Sequence, residues 1–380
     1  MRRALASNVF EAAVERMTAV YAEGHRVVVS FSGGKDSGIC LEVCVLAARA
    51  TGRLPVEVVM RDDEIMLPGT FEYAERLTQR EDLRFRWVVA RQPIVNIFNR
   101  ERPYFWAFDP EVSPEEWVRT FPPFAEEIPH YNIQFIACPE YYPPRAGKLL
   151  VVVVGLRVDE SQRRALGLHS SGQHLTRIKG GMRYARPIYD WRSGDVWKAI
   201  HEHGWDYNRA YDSMSKLGVS PTRLRIAPPT MSAASVHELG IAAKAWPQWF
   251  DRVCQRLPGV RTAARFGRRA VEPQRRLGET WKQCFERTCL EEAPEWIRDR
   301  AARAYAAIMH MHRKHSVQDL PETVTCDGCR VHWLASYRVL AKVLYTGDPL
   351  SLKADALKLG YVEPEFFRPG SGVWGGTPTW

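Results

Sequence analysis

The chain has 380 residues, 45% hydrophobic and 26% charged, with eight cysteines, a formal net charge of +9 and a pI of about 9.2. This is the composition of a folded globular chain of one or two domains, not of a disordered or low-complexity one. No uninterrupted apolar run approaches the ~20 residues that cross a bilayer, and no apolar segment follows Met1-Arg2-Arg3-Ala4-Leu5, so a cytoplasmic chain without a signal peptide is expected.

In chain order, Ser7 is placed to cap a helix whose apolar residues Phe10, Val14, Met17 and Tyr21 recur at helical spacing, with Glu23-Gly24 ending it. Arg26 to Phe31 (RVVVSF) is a short continuous apolar run, the pattern of a strand buried on both faces. A Gly-rich turn and a helix from about Asp36 to Ala50 follow, with Cys40 and Cys44 four apart on its apolar face as core residues. Val56 to Met60, Phe85 to Ala90 and Leu149 to Val154 are further β-rich runs, and Pro68 opens a helix carrying Phe71, Ala74 and Leu77. Strands alternating with helices predict an α/β fold, a doubly wound parallel sheet with right-handed crossovers.

Residues 92–148 form a long Pro- and aromatic-rich insertion (Phe105, Trp106, Trp117, Phe121, Phe124, Tyr131, Tyr141, Tyr142), the mark of a lid or recognition element. Beyond about residue 235 the pattern turns helical and basic. The expected organisation is therefore an α/β domain over 1–235, a smaller helical region over 236–368 and a flexible Gly/Pro-rich tail over 369–380. Residues 251–282 hold nine Arg/Lys against three acids, so most of the net charge sits there. Such a stretch attracts nucleic acid or another large anion, or is a solvated helix face.

The chemistry centres on Ser32-Gly33-Gly34-Lys35-Asp36-Ser37, between the first strand and its helix. Glycines let backbone N–H groups approach phosphate oxygens, and a helix beginning at once aims unpaired amides and its positive dipole end at the same point. Lys35 adds charge, Ser32 and Ser37 add hydroxyls, and Asp36 either caps the helix or holds Mg²⁺ through water. The GxxxxGK[ST] spacing of a Walker A loop is absent.

SGGKDS instead resembles the pyrophosphate loop (PP-loop) of the N-type ATP pyrophosphatases and phosphoadenosine-phosphosulfate (PAPS) reductases. The resemblance implies an adenine nucleotide α-hydrolase fold. Arg61-Asp62-Asp63-Glu64 is similar to the acidic strand end that contacts nucleotide in these folds; Asp62 and Asp63 would bind a ribose hydroxyl or a metal, or form a solvated acidic turn. Gly155-Leu156-Arg157-Val158-Asp159-Glu160-Ser161-Gln162-Arg163-Arg164 resembles the family's GxRxxES-xxR segment. Gly155 would let the backbone turn beside the ligand, Arg157 and Arg163 or Arg164 would pair with phosphate or sulfate, and Glu160 would orient one of them. The alternative is a helix start with an internal Glu–Arg pair.

Pro187-Ile188-Tyr189-Asp190-Trp191 with Asp195-Val196-Trp197, then Tyr207-Asn208 and Tyr211-Asp212, also resemble family segments and read as structural, with Asp195 an N-cap. Trp117 to Pro122 and Arg223 to Pro229 are closest to the immunoglobulin-binding regulator A-like, PAPS-reductase-like branch. The chain departs from the assimilatory reductases in lacking their ECG[IL]H-type segment with its nucleophilic cysteine.

Eight cysteines in a cytoplasmic chain do not make a disulfide framework. Cys284-x₄-Cys289 and Cys326-x₂-Cys329 together offer four thiolates for zinc or an iron–sulfur cluster, or a redox dithiol, or unconnected thiols. His310, His312 and His315 read as cations closing a helix.

The resulting expectation is an enzyme that binds ATP·Mg and adenylates an acceptor with release of pyrophosphate. Nucleic acid is a candidate acceptor, a partner protein a candidate partner, and sulfur relayed through Cys326 or Cys329 a candidate second step. The alternatives are a PAPS reductase and a nucleotide-sensing, DNA-binding regulator without turnover.

Overall fold

The computed structural model describes residues 8–91, 93–128, 137–160, 162–226 and 236–368. The tail 369–380, Ser7, Tyr131, Ser161 and residues 227–229 of the Arg223 to Pro229 segment lie outside the described residues. The chain divides into two compact units, one of residues 1–92 and 113–228, the other of residues 93–112 and 229–380. The stretch 92–148 is thus shared between the units.

In the first unit the elements run α1 (Val9–Ala22), β1 (Arg26–Phe31), α2 (Lys35–Ala50), β2 (Val56–Arg61), α3 (Thr70–Thr78) and β3 (Leu83–Val89). The second unit receives the hairpin β4 (Pro93–Val95) and β5 (Tyr104–Trp106). The first unit resumes with β6 (Glu126–Glu127), β7 (Leu150–Val153), α4 (Gln162–Ser170), β8 (Met182–Ala185), α5 (Ser193–His203) and α6 (Ala210–Lys216). The six strands of this unit form one sheet in the order β6-β3-β2-β1-β7-β8, parallel throughout. The α/β fold with a parallel sheet is what the alternating pattern called for.

The chain leaves β1 toward β2 on one side, and β7 lies on the other, with Val28 paired to Val152 and Val29 to Val58. Parallel sheets form a crevice at such a reversal, beyond the carboxyl ends of the strands. Alternate residues of the strands face two cores. Val27, Val29 and Phe31 pack with Met17, Cys40, Cys44, Tyr73 and Val196 from α1, α2, α3 and α5. Val28, Val59, Val88 and Val152 pack with Ile128, Ala137 and Tyr142 of the insertion. A strand covered on both faces has no polar side to show, which is why RVVVSF reads as one apolar run.

The helix caps differ in detail from the expectation. Asn8 caps α1: its side chain accepts from the N–H groups of Phe10 and Glu11, and Glu11 returns a bond to the Asn8 N–H at 3.2 Å. Asp195 is not the N-cap of α5 but its third helical residue, accepting from the Arg192 N–H at 2.6 Å. β6 and β8 were not expected; two glutamates and a half-buried MRYA edge strand carry no apolar period.

The second unit continues with α7 (Val236–Ala245), α8 (Pro247–Arg256), α9 (Val260–Phe266), α10 (Trp281–Phe285), α11 (Glu295–His312) and α12 (Tyr337–Leu344). Its core joins Phe285, Cys289, Ala304, Ile308, Leu334, Leu340 and Leu344. Arg300 of α11 is 1% exposed, and its guanidinium donates to the carbonyls of Gly347 (2.8 Å), Asp348 (3.1 Å), Leu359 (3.4 Å) and Gly360 (2.7 Å). A fork of donors on four carbonyls of the C-terminal segment compensates the cost of burying the charge. Arg300→Ala leaves those carbonyls without their donor, and each buried unpaired group costs about 1–3 kcal/mol. We expect the variant to lose at least about 3 kcal/mol in urea unfolding.

Candidate functional site

β1 ends at Phe31 and α2 begins at Lys35, so three residues make the whole turn. Gly33 has φ +72°, a conformation that disfavours a side chain, and a Cβ there would lie 2.4 Å from Thr70 Cγ2. Gly34 is the N-cap, leaving the amides of Lys35, Asp36 and Ser37 on the first helical turn, where the helix itself supplies no acceptor. The Ser37 hydroxyl ties the turn together: it donates to the Gly34 carbonyl at 2.9 Å, accepts from the Ser32 N–H at 3.2 Å and lies 3.0 Å from the Ser32 hydroxyl. Asn208, fully buried, donates to the Gly33 carbonyl at 2.9 Å and to the Thr70 hydroxyl at 2.8 Å.

The charged residues gather around Asp36. Arg157, 3% exposed, donates from Nε to Asp36 Oδ1 at 2.7 Å, and Lys35 Nζ lies 3.3 Å from Asp36 Oδ2. Asp36 therefore bridges two cations on the first turn of α2 and is not the helix cap. Lys35 is 5% exposed and also donates to the Leu224 carbonyl at 3.0 Å. Burial lowers its pKa from the ordinary lysine value; Asp36 opposes that shift and Arg157 adds to it. The Lys35 backbone N–H donates to the Tyr211 hydroxyl at 3.0 Å.

Gly155 stands at the end of β7, directly against this turn. A Cβ there would lie 2.8 Å from Asp36 C and from Ser37 N, so the two backbones touch. Glu160 accepts from the Arg157 N–H at 3.2 Å, so it orients the main chain beside Arg157, as a helix-start contact does. Arg163 and Arg164 begin α4, and their side chains lie outside the described residues.

Of the two readings of the acidic strand end, a ribose or metal contact and a solvated turn, burial excludes the solvated turn. Asp62, Asp63 and Glu64 are 1%, 5% and 0% exposed. Asp62 accepts from Trp87 Nε1 at 2.8 Å, from the Glu64 N–H at 2.9 Å and from the Arg119 guanidinium. Asp63 accepts from Arg61 at 2.7 and 3.0 Å, and Glu64 from the Val118 N–H at 2.9 Å. Asp62 and Glu64 anchor the Trp117–Arg119 segment to the end of β2.

The structure does not assemble the four-thiolate set. Cys326 and Cys329 lie with His312 and His315, their donor atoms all within 4.8 Å of one another. Cys284 and Cys289 are fully buried outside that group; Cys289 Sγ is 3.6 Å from Thr288 Oγ1 and 3.8 Å from the Ala341 carbonyl. His312 and His315, expected to close the helix, each lie against a thiol. In the basic segment Arg252, Arg261, Arg265, Arg268, Arg269, Arg275 and Arg276 are exposed. Arg261 pairs with Asp251 at 3.0 Å and Arg276 with Glu292 at 3.0 Å, which neutralises part of the local charge.

Thr70, Asn208 and Tyr211 were not recognised as loop residues. The one signal available was the Tyr207-Asn208, Tyr211-Asp212 pattern, and nothing local says that it meets residues some 170 positions earlier.

No family model matches the chain. It is 27% identical over 372 residues to the uncharacterized protein YbdN of Escherichia coli strain K12, an alignment covering 90% of this chain and 88% of that one. Among solved structures it is similar to Candida glabrata FMN adenylyltransferase in complex with FAD and inorganic pyrophosphate (10% identity, 56% of this chain, 63% of that one, TM-score 0.34). A PAPS reductase from Candida auris in a phosphate complex is similar over 59% of this chain and 89% of its own, at 14% identity and TM-score 0.32. Yeast FAD synthetase in complex with FAD aligns over 55% of this chain and 65% of its own, at 12% identity and TM-score 0.31. The chain spans less than two thirds of the length of the adenylyltransferase and of the synthetase. The chemistry has to be read from the loop itself.

Two substitutions probe this framework. Gly155→Ala forces a methyl group into contacting backbone, and overpacking of this kind costs about 1–3 kcal/mol. Asp62→Ala removes the acceptor of Trp87 and Arg119 and costs about 3 kcal/mol, the low end for a broken buried pair because Arg119 keeps some solvent. Urea unfolding followed by tryptophan fluorescence reads both.

Proposed function

We propose that the chain binds ATP·Mg with its β- and γ-phosphates on the Ser32 to Ser37 turn and transfers the adenylyl group to an acceptor, releasing pyrophosphate. The observation carrying this reading is the left-handed Gly33 leading straight into the amino end of α2, with Lys35 and Arg157 in reach of one carboxylate. Amides, a helix dipole and two cations favour a polyanion there. The resemblance of SGGKDS to the PP-loop, with both Lys35 and Ser37 present, favours the adenylating chemistry over sulfonucleotide reduction.

In this reading an acceptor oxygen forms a bond to the α-phosphorus, the bond from that phosphorus to the pyrophosphate bridging oxygen breaks, and the acceptor proton passes to solvent. The chain contributes charge and position. Lys35 leaves the Leu224 carbonyl and Asp36 for the leaving pyrophosphate, and Arg157, held by Asp36, supplies a second positive charge. Asp36 stays paired with Arg157, and Mg²⁺ enters with the substrate phosphates. The Tyr211 hydroxyl takes the Lys35 N–H, which a phosphate oxygen would otherwise accept.

Lys35→Ala is expected to reduce pyrophosphate release from ATP·Mg at least tenfold, measured with an enzyme-coupled pyrophosphate assay and candidate acceptors. Equal rates in the two proteins would overturn the reading, and sulfite release from PAPS with thioredoxin would replace it with the reductase. Tyr211→Phe frees one amide and tightens ATP binding by about 2- to 10-fold, the worth of a neutral hydrogen bond of about 0.5–1.5 kcal/mol. The pH dependence has a defined sign. Phosphate favours the protonated Lys35, so its pKa rises on binding from a value already lowered by burial. ATP affinity is therefore full below the free-protein pKa and declines as pH rises through it, at lower pH than an exposed lysine would give. Isothermal titration across alkaline pH reads this, and Lys35→Arg flattens the profile.

A further inference from the structure

The structure assigns a tetrahedral zinc site to the second unit, formed by His312 Nδ1, His315 Nε2, Cys326 Sγ and Cys329 Sγ. The four donor atoms lie within 4.8 Å of one another. Zn–S bonds of about 2.3 Å and Zn–N bonds of about 2.0–2.1 Å at tetrahedral angles put ligand atoms roughly 3.3–3.8 Å apart. Here His312 Nδ1 and His315 Nε2 are each 3.4 Å from Cys329 Sγ, and Cys326 Sγ is 3.9 Å from His315 Nε2. These three separations are close to those around a single small ion, and the widest of the set, up to 4.8 Å, would close on binding. A two-iron cluster carrying both histidines on one iron and both cysteines on the other would hold the pairs farther apart.

The surroundings fit ligation as well. His312 is 2% exposed, and its Nε2 lies 3.1 Å from the Gln318 carbonyl. A proton on Nε2 satisfies that carbonyl and turns the Nδ1 lone pair toward the cysteines, the outer contact typical of a metal-bound imidazole. Gly328 lets the His315 ring close over the Cys326–Cys329 turn, since a Cβ there would lie 2.7 Å from His315 Cε1. The Cys329 N–H donates to the Cys326 carbonyl at 3.3 Å and the Cys326 N–H to the Ala335 carbonyl at 3.0 Å, which sets both sulfurs on one side of a tight turn. The ion would clamp the loop after α11 to the end of that helix, a few residues before α12. In a small helical core such a clamp contributes directly to folding. With both thiolates ligating, neither Cys326 nor Cys329 is available as a sulfur carrier.

The test is metal analysis of the full-length purified chain, with uptake of Zn²⁺ and Co²⁺ by protein stripped with a chelator. About one zinc per chain is expected. Co²⁺ should give the absorption of a tetrahedral thiolate site. Cys326→Ser and His315→Asn, at the two more exposed ligands, should each lower metal content roughly tenfold. Cys284→Ala and Cys289→Ala should leave it unchanged, and circular dichroism confirms that each variant is folded. Iron with acid-labile sulfide, failure of the folded chain to take up either metal at micromolar concentration, or loss of metal only in the Cys284 and Cys289 variants would each overturn the assignment.

Discussion

The first unit depends on a backbone contact that admits no side chain. Gly155, leaving β7, lies against Asp36 and Ser37 at the first turn of α2. Two adjacent parallel strands thereby deliver their ends to one point, and the Arg157–Asp36 pair fixes the charge on that point. The same contact limits the position of Arg157, because its backbone is two residues from the touching glycine. Its guanidinium can pair with Asp36 while being almost wholly removed from solvent. Buried ion pairs roughly break even as stabilisers, so the arrangement is better understood as a device that stores a cation beside the helix end.

A second layer surrounds that point. Asn208 and Thr70 hold the Gly33 carbonyl, and Tyr211 and the Leu224 carbonyl hold the amide and the ammonium of Lys35. The amide and the ammonium of Lys35 and the guanidinium of Arg157 each already have a neutral or single-charge partner. A multiply charged phosphate competes well against such partners, since charge-assisted bonds are roughly twice as strong as neutral ones. Asp62, Asp63 and Glu64 are buried at the end of β2. Asp62 and Glu64 pin the Trp117–Arg119 segment, and Asp63 pairs with Arg61.

The sequence by itself determined the strands and helices that carry a strong period: α1, β1, α2, β2 and β7 fall within a residue or so of their expected bounds. It also determined the glycine-rich build of the Ser32 to Ser37 turn between β1 and α2 and a glycine at 155 beside it. Those features are local, because a buried parallel strand must be apolar on both faces and a turn of three residues into a helix must be glycine-rich. What only the tertiary structure decided is which distant groups meet. Four cysteines at suggestive spacing did not reveal that Cys326 and Cys329 meet His312 and His315, while Cys284 and Cys289 are buried apart from them. Nor did an acidic strand end reveal its Arg119 partner, or a tyrosine at 211 its amide at 35. Periodicity reports what one segment presents to water, whereas ligand sets and ion pairs form between segments whose approach is fixed by packing of the whole unit.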